Sequence, residues 1–143
     1  YPDKQGVLFV LDVDNFKKIN DTMGHAFGDE VLRSLAVRLQ SMFRATDIVG
    51  RTGGDEFMVF LKDIRDITMI EREGKKIEQF FHQFEVGEYV KYSVTASVGA
   101  AVFPGDGRTF EDLYKSADNA LYVSKRHGKN QLTFYKKPEK ETT

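Results

Sequence analysis

The chain is predicted to fold as an α/β (α+β) sandwich of the ferredoxin-like kind, a central sheet containing antiparallel strands and flanked by helices. Three observations lead there. Val7 to Val13 is almost wholly apolar and β-branched or aromatic, as a strand covered on both faces must be. Short apolar stretches on either side of Gly53-Gly54-Asp55-Glu56 read as a β-hairpin. Elsewhere the apolar positions recur at helical spacing, except in Ser93 to Phe103, where they alternate. The resulting order, β-α-α-β-β-α-β-α-β, has a strand–helix start, a central hairpin and a returning βαβ unit.

The first strand ends in Asp12-Val13-Asp14, and its period of two puts both aspartates on one face. Asp14 or Asn15 is expected to cap a short helix, Phe16 to Asn20. A glycine-punctuated loop, Gly24 to Gly28, leads to a second helix with a stripe of Val31, Leu32, Leu35, Leu39, Met42 and Phe43. The Asp47–Leu61 hairpin comes next. A third helix, about Thr68 to Phe84, carries Ile70, Ile77, Phe80, Phe81 and Phe84. In the strand Ser93 to Phe103, Val94, Ala96, Val98, Ala100 and Val102 share a face, and the other face is small enough for close helix packing. Thr109 and Asp112 form a variant capping box. The helix they open is expected to bury Phe110, Leu113, Ala117, Ala120 and Leu121 and to stop at Gly128, before a last strand, Gln131 to Tyr135.

A chain of 143 residues fits one domain, here 1–135, followed by a polar tail or linker, 136–143. A net charge of −1 gives no global field for nucleic acid or an anionic membrane, so local groups must meet any anionic substrate. Cysteine is absent, which excludes thiolate zinc sites and disulfides and fits a reducing cytoplasmic compartment. No apolar run approaches the roughly 20 residues of a membrane span.

Chemistry concentrates at Gly53-Gly54-Asp55-Glu56-Phe57. Adjacent carboxylates at a hairpin tip offer hard oxygen ligands, and glycine permits positive φ and close approach of an anion. If the hairpin lies beside the first strand, Asp12 joins Asp55 and Glu56, a set suited to Mg²⁺-assisted phosphoryl or nucleotidyl transfer. Asp12 reads equally as a helix-capping acid. The helix after Asp14 presents free N–H groups, with Lys17 and Lys18 in its first turns, as a phosphate site would. No Gly-x-x-x-x-Gly-Lys-Ser/Thr loop occurs, which excludes a P-loop NTPase.

Leu11-Asp12-Val13-Asp14-Asn15-Phe16-Lys17, Asn20-Asp21, Gly24-His25, Gly28-Asp29, Arg51-Thr52-Gly53-Gly54-Asp55-Glu56-Phe57, Val94 to Gly99, Ala117 to Tyr122, Lys125 and Gly128-Lys129-Asn130 follow one another in the order of the GGDEF family. The chain resembles that family over nearly its whole length. The resemblance implies a nucleotidyl-cyclase-like sandwich and a diguanylate cyclase, which condenses two GTP into cyclic di-GMP with release of two pyrophosphates. It implies that Asp12, the Val13 carbonyl, Asp55 and Glu56 hold Mg²⁺ (or Mn²⁺), with Asp55 also helping to deprotonate the attacking 3′-hydroxyl. Asn20 and Asp29 would read guanine with His25 nearby, and Lys17, Lys125 and Lys129 would meet phosphates. Lysine stands at 129 where most relatives carry arginine, so charge is kept and a bidentate fork is lost. Arg44-Ala45-Thr46-Asp47 is similar to the family's product-inhibition motif, which would bind cyclic di-GMP.

Plain alternatives stand beside these roles. His25 can bond to loop backbone, Asp29 can cap its helix, Asn20 can end one, and Arg44 with Asp47 can be a simple salt bridge. Two departures matter. The family's opening helix and Asp-x-Leu-Thr turn have no room in Tyr1–Gly6, and no regulatory module is present. Since one domain holds one GTP, the implied partner is a second GGDEF domain, alongside regulatory or phosphodiesterase-type domains in a longer protein, and the resemblance allows that protein to be membrane-anchored with this domain in the cytoplasm. The alternative function is a non-catalytic sensor of GTP or cyclic di-GMP.

Overall fold

The computed structural model describes residues 4–44 and 47–136. Residues 1–3 of the opening Tyr1–Gly6 segment, Ala45-Thr46 in the middle of the Arg44–Asp47 motif, and all of the expected tail but Lys136 lie outside them. The frame is strand β1, Gln5–Val13. Val7, Leu8, Phe9, Val10 and Leu11 have no exposed surface. Val7, Phe9, Leu11 and Val13 enter one apolar cluster, and Leu8 and Val10 enter another on the opposite face. A strand walled on both sides needs this pattern, and the sequence supplies it.

Helices α1 (Phe16–Met23) and α2 (His25–Met42) follow, then the hairpin β2 (Ile48–Gly53) and β3 (Glu56–Ile64), and helix α3 (Ile67–Gln83). Short strands β4 (Glu85–Val86) and β5 (Tyr92–Ser93) precede β6 (Ala96–Phe103), helix α4 (Phe110–Arg126) and β7 (Leu132–Phe134). The main sheet runs β2-β3-β1-β6-β7. Its first four strands are mutually antiparallel, and β7 joins β6 in parallel through the α4 crossover. This is the expected sandwich, with the expected last strand at its edge. Apolar residues of α1, α2 and α3 (Ile19, Leu35 and Ile77 among them) share the first cluster, whereas Leu113, Ala117 and Leu121 of α4 share the second.

The small face of β6 does what its sequence suggested. A Cβ on Gly99 would lie 2.1 Å from the Ala117 carbonyl and 2.2 Å from the Leu121 nitrogen, so α4 rests directly on the strand. Thr109 caps α4 by accepting from the Asp112 amide at 3.1 Å.

Several local expectations are corrected. Helix α1 continues to Met23, and of the expected glycine loop only Gly24 (φ 92°) stays outside a helix. Neither Asp14 nor Asn15 caps α1 through its side chain: Asn15 takes a left-handed conformation (φ 57°) without a side-chain cap bond. Asp14 turns inward, where it is 7% exposed and accepts from Thr95 Oγ1 (2.7 Å), Ser97 Oγ (2.6 Å) and the Asn130 amide (2.9 Å). Three donors over a buried carboxylate outweigh one capping bond. The expected strand from Ser93 is split, because Tyr92–Ser93 pairs with Glu85–Val86 in a separate ribbon. Phe110 is 59% exposed rather than buried. Helical side chains lean toward the N-terminus, and the first residue has no preceding turn over which to pack. Among the described residues, no helix is long and apolar enough to cross a membrane.

Candidate active site

The pairing of β1 with β3 sets Asp12 directly opposite Glu56. One residue further, the Val13 amide donates to the Asp55 carbonyl at 3.2 Å. Between the paired residues Gly53 and Glu56 only Gly54 and Asp55 form the turn. Gly54 has φ +31°, and its carbonyl accepts from Arg51 Nε at 2.8 Å, which ties the tip to its own strand. Asp12, Asp55 and Glu56 therefore meet at one corner of the sheet, as the hairpin reading requires. Burial pushes the Asp12 carboxyl above its ordinary value, Lys125 partly offsets this, and the charges of Asp55 and Glu56 push it further up.

Helix α4 sends two donors into this corner. The Lys125 ammonium pairs with Asp12 Oδ2, on a side chain only 16% exposed. Burial works against the charge on Lys125, but its bond to Asp12 and the charges of Asp12, Asp55 and Asp118 more than offset that, leaving its pKa raised. Tyr114 Oη donates to Glu56 Oε1 at 2.6 Å. That bond, with burial and the nearby charges of Glu56, Asp118 and Asp12, pushes the phenol far above its usual range, so it remains a donor. Among the described residues no three His, Cys, Asp or Glu side chains are arranged to hold a metal ion. Two of the three carboxylates are engaged by α4 instead. The donor chemistry nevertheless fits a hard divalent cation, since Asp12, Asp55 and Glu56 all offer carboxylate oxygen.

Asn20 lies inside α1, where its carbonyl accepts from the Gly24 amide at 2.8 Å, so it does not end the helix. Its Oδ1 is buried with no hydrogen-bond partner among the described residues. A Cβ on Gly28 would stand 1.8 Å from that oxygen, so the glycine makes room for it. A buried acceptor without a donor is costly and rare. Asp29 sits in the second turn of α2, whose cap is Gly24, so it is no N-cap either. His25 opens α2 and is exposed, as are Lys17 and Asp29. Lys129 Nζ reaches Asn15 Oδ1 at 2.8 Å in a turn where Lys129 and Asn130 both have positive φ (66° and 51°). The Asn130 amide then ties that turn to Asp14.

Arg44 and Asp47 meet at the other end of β2. Asp47 accepts from the Arg44 amide (3.0 Å), Nε (3.4 Å) and Nη2 (3.3 Å), and Nη2 also reaches the Lys62 carbonyl at 3.3 Å. The Asp47 side chain is 3% exposed and that of Arg44 63%. Beside them lies a hollow of about 170 Å³ whose rim includes Phe43, Met69, Glu73 and Lys76.

Sequence reasoning missed Tyr114 and the inward turn of Asp14. A signal for the first existed: Tyr114 adjoins the buried stripe Leu113, Ala117 and Leu121, and a tyrosine packed there needs a partner for its hydroxyl.

Residues 1–131 match the family model described as "Diguanylate cyclase, GGDEF domain". The chain is 38% identical over 132 residues to Diguanylate cyclase DosC of Escherichia coli (strain K12), covering 90% of this chain and 28% of that protein. It is also 38% identical over 134 residues to Cyclic di-GMP phosphodiesterase NbdA of Pseudomonas aeruginosa, covering 90% of this chain and 16% of that protein. It thus spans less than a third of the length of either relative. Among solved structures, the active GGEEF domain of a diguanylate cyclase from Vibrio cholerae superposes with a TM-score of 0.83 at 31% identity, covering 94% of this chain and 85% of that one.

Proposed function

The chain belongs to the GGDEF family of diguanylate cyclase domains, and from that premise we propose that it catalyses the condensation of two GTP into cyclic di-GMP. The observation that carries this reading is the corner where Asp12 faces Glu56, Asp55 adjoins, and Lys125 pairs with Asp12. An acidic cluster of that kind, in a chain that also carries a buried unpaired acceptor on Asn20, suits a metal-bound purine nucleotide. Asp12, the Val13 carbonyl, Asp55 and Glu56 would hold Mg²⁺, or Mn²⁺ in its place, and the bound ion supplies Lewis-acid charge to the phosphates.

The chain's own residues do the rest. Asn20 and Asp29 accept the N1–H and N2–H₂ groups of guanine, and His25 closes beside them. Lys17, Lys125 and Lys129 neutralise phosphate oxygens, with Lys125 exchanging Asp12 for the nucleotide. Asp55 takes the proton of the attacking 3′-hydroxyl. The 3′-oxygen forms a bond to the α-phosphorus as the bridge to the β-phosphate breaks, and pyrophosphate leaves; the second bond forms likewise. Because one domain holds one GTP, the second 3′-hydroxyl comes from another GGDEF domain, and activity requires a homodimer. Cyclic di-GMP returns to Arg44 and Asp47, whose fork and carboxylate suit guanine edges. Regulatory or phosphodiesterase-type domains are the partners expected within the full-length protein.

The competing reading is a sensor that binds nucleotide without turnover. It draws on the engagement of Asp12 and Glu56 by Lys125 and Tyr114 and on the like resemblance to a protein named for phosphodiesterase activity. Incubation with GTP and Mg²⁺ followed by chromatography separates the two. One cyclic di-GMP for each two pyrophosphates supports the cyclase; tight GTP binding with unchanged nucleotide overturns it.

A further inference from the structure

We propose that Tyr114 is a positioning residue that aims the Glu56 carboxylate for cation binding. The proposal rests on the reading of Glu56 as a metal ligand. The two residues are 58 positions apart, yet Tyr114 Oη donates to Glu56 Oε1 at 2.6 Å. The phenol is held on more than one side. Its ring packs on the cluster of Leu8, Val10, Leu113 and Ala117, and the Phe110 ring lies 6.1 Å away at a 35° tilt. The backbone of α4 is itself seated on β6 at Gly99. A hydroxyl delivered from so fixed a base defines where one carboxylate oxygen sits and hence where the second points.

Glutamate needs such a guide more than its neighbours do. Asp12 leaves the end of β1 on a short side chain, with Lys125 as a partner that a cation can displace by charge alone. Glu56 stands at the first residue of β3, beside a two-residue turn, on a side chain with three rotatable bonds. Freezing those rotamers opposes binding unless the free protein has already frozen them. Hydrogen bonds to a ligating carboxylate from outside the ligand set commonly change metal affinity by about ten- to a hundredfold. Phe110 contributes at one remove, which gives its exposed position at the head of α4 a use.

The test is titration of the protein with Mn²⁺ in the absence of nucleotide, followed by the loss of the free-ion paramagnetic resonance signal, with melting of the metal-free protein in parallel. Tyr114→Phe keeps the ring and removes the hydroxyl. It should weaken Mn²⁺ binding about tenfold while the melting midpoint moves by no more than roughly 2 °C. It should add nothing in a Glu56→Gln background. Unchanged or tighter Mn²⁺ binding by Tyr114→Phe, with Glu56→Gln impaired, overturns the positioning role alone. Mn²⁺ binding untouched by Glu56→Gln overturns the underlying metal reading and the positioning role with it.

Discussion

The two ends of strand β2 each join a cation to carboxylates, yet they differ in balance. The six residues of β2 separate them by about 20 Å. At the near end Arg44 and Asp47 form a one-to-one pair, with both Asp47 oxygens taken by the same residue and the carboxylate almost fully covered. At the far end Asp12, Asp55 and Glu56 share Lys125 and a neutral phenol, and Asp12 holds its proton above the ordinary value. A balanced pair is complete as it stands. The proposed function makes the far end the chemical site and the near end a regulatory one.

The comparison sharpens if the far end also selects its nucleotide. Guanine offers two donors to Asn20 and Asp29, and adenine offers no such pair. A buried acceptor left unpaired costs roughly 1–3 kcal/mol, so calorimetry should show GTP preferred over ATP at least tens-fold. Gly28→Ala tests the same pocket. Its Cβ would collide with Asn20 Oδ1, so GTP affinity should fall by a similar factor although alanine favours the helix by up to about 1 kcal/mol. Equal binding of the two nucleotides, or unaltered GTP affinity in Gly28→Ala, would remove guanine from this site.

At the near end, Arg44→Ala breaks the balanced pair. Cyclic di-GMP should bind about tenfold more weakly, as loss of a charge-assisted fork implies, and product inhibition should relax with the initial rate unchanged. An unaltered inhibition curve would leave Arg44 and Asp47 as a structural pair only.

The smallest effect comes from lessening the imbalance. The folded pKa of Asp12 lies above its ordinary 3.8. The folded protein therefore binds this proton more tightly than the unfolded chain, and stability falls as pH rises from 3.8 through the raised value. Asp12→Asn removes that slope and should raise the metal-free melting midpoint at neutral pH by roughly 1–3 °C. A drop of several degrees would mean that the Lys125 pair dominates and the corner is not under charge strain.

How much of this was legible in the sequence varied with the range of the interaction. Val7 to Leu11 declared a doubly covered strand, and Gly53 to Phe57 declared a tight acidic turn, because both signals lie in consecutive residues. The seat of α4 was foreshadowed by the small residues beside Gly99. The Tyr114–Glu56 bond and the burial of Asp14 under Thr95, Ser97 and Asn130 were not visible, since each joins residues 58 to 116 positions apart. The ribbon of β4 and β5 was hidden because two-residue strands leave no periodicity. Phe110 misled for the opposite reason: it fits the helical stripe, but it stands at the first position of α4, with no preceding turn to pack over.

The most direct test of the central claim is the rate of cyclic di-GMP formation by Asp55→Ala beside the unaltered protein, at matched concentration with saturating GTP and Mg²⁺. Asp55 sits at a turn tip and is only partly buried, so the fold should survive its truncation. The account predicts a rate at least about a thousandfold lower, equivalent to roughly 4 kcal/mol of lost transition-state stabilisation, in a protein that melts as before. Near-normal turnover by Asp55→Ala would contradict it and would place the chemistry elsewhere.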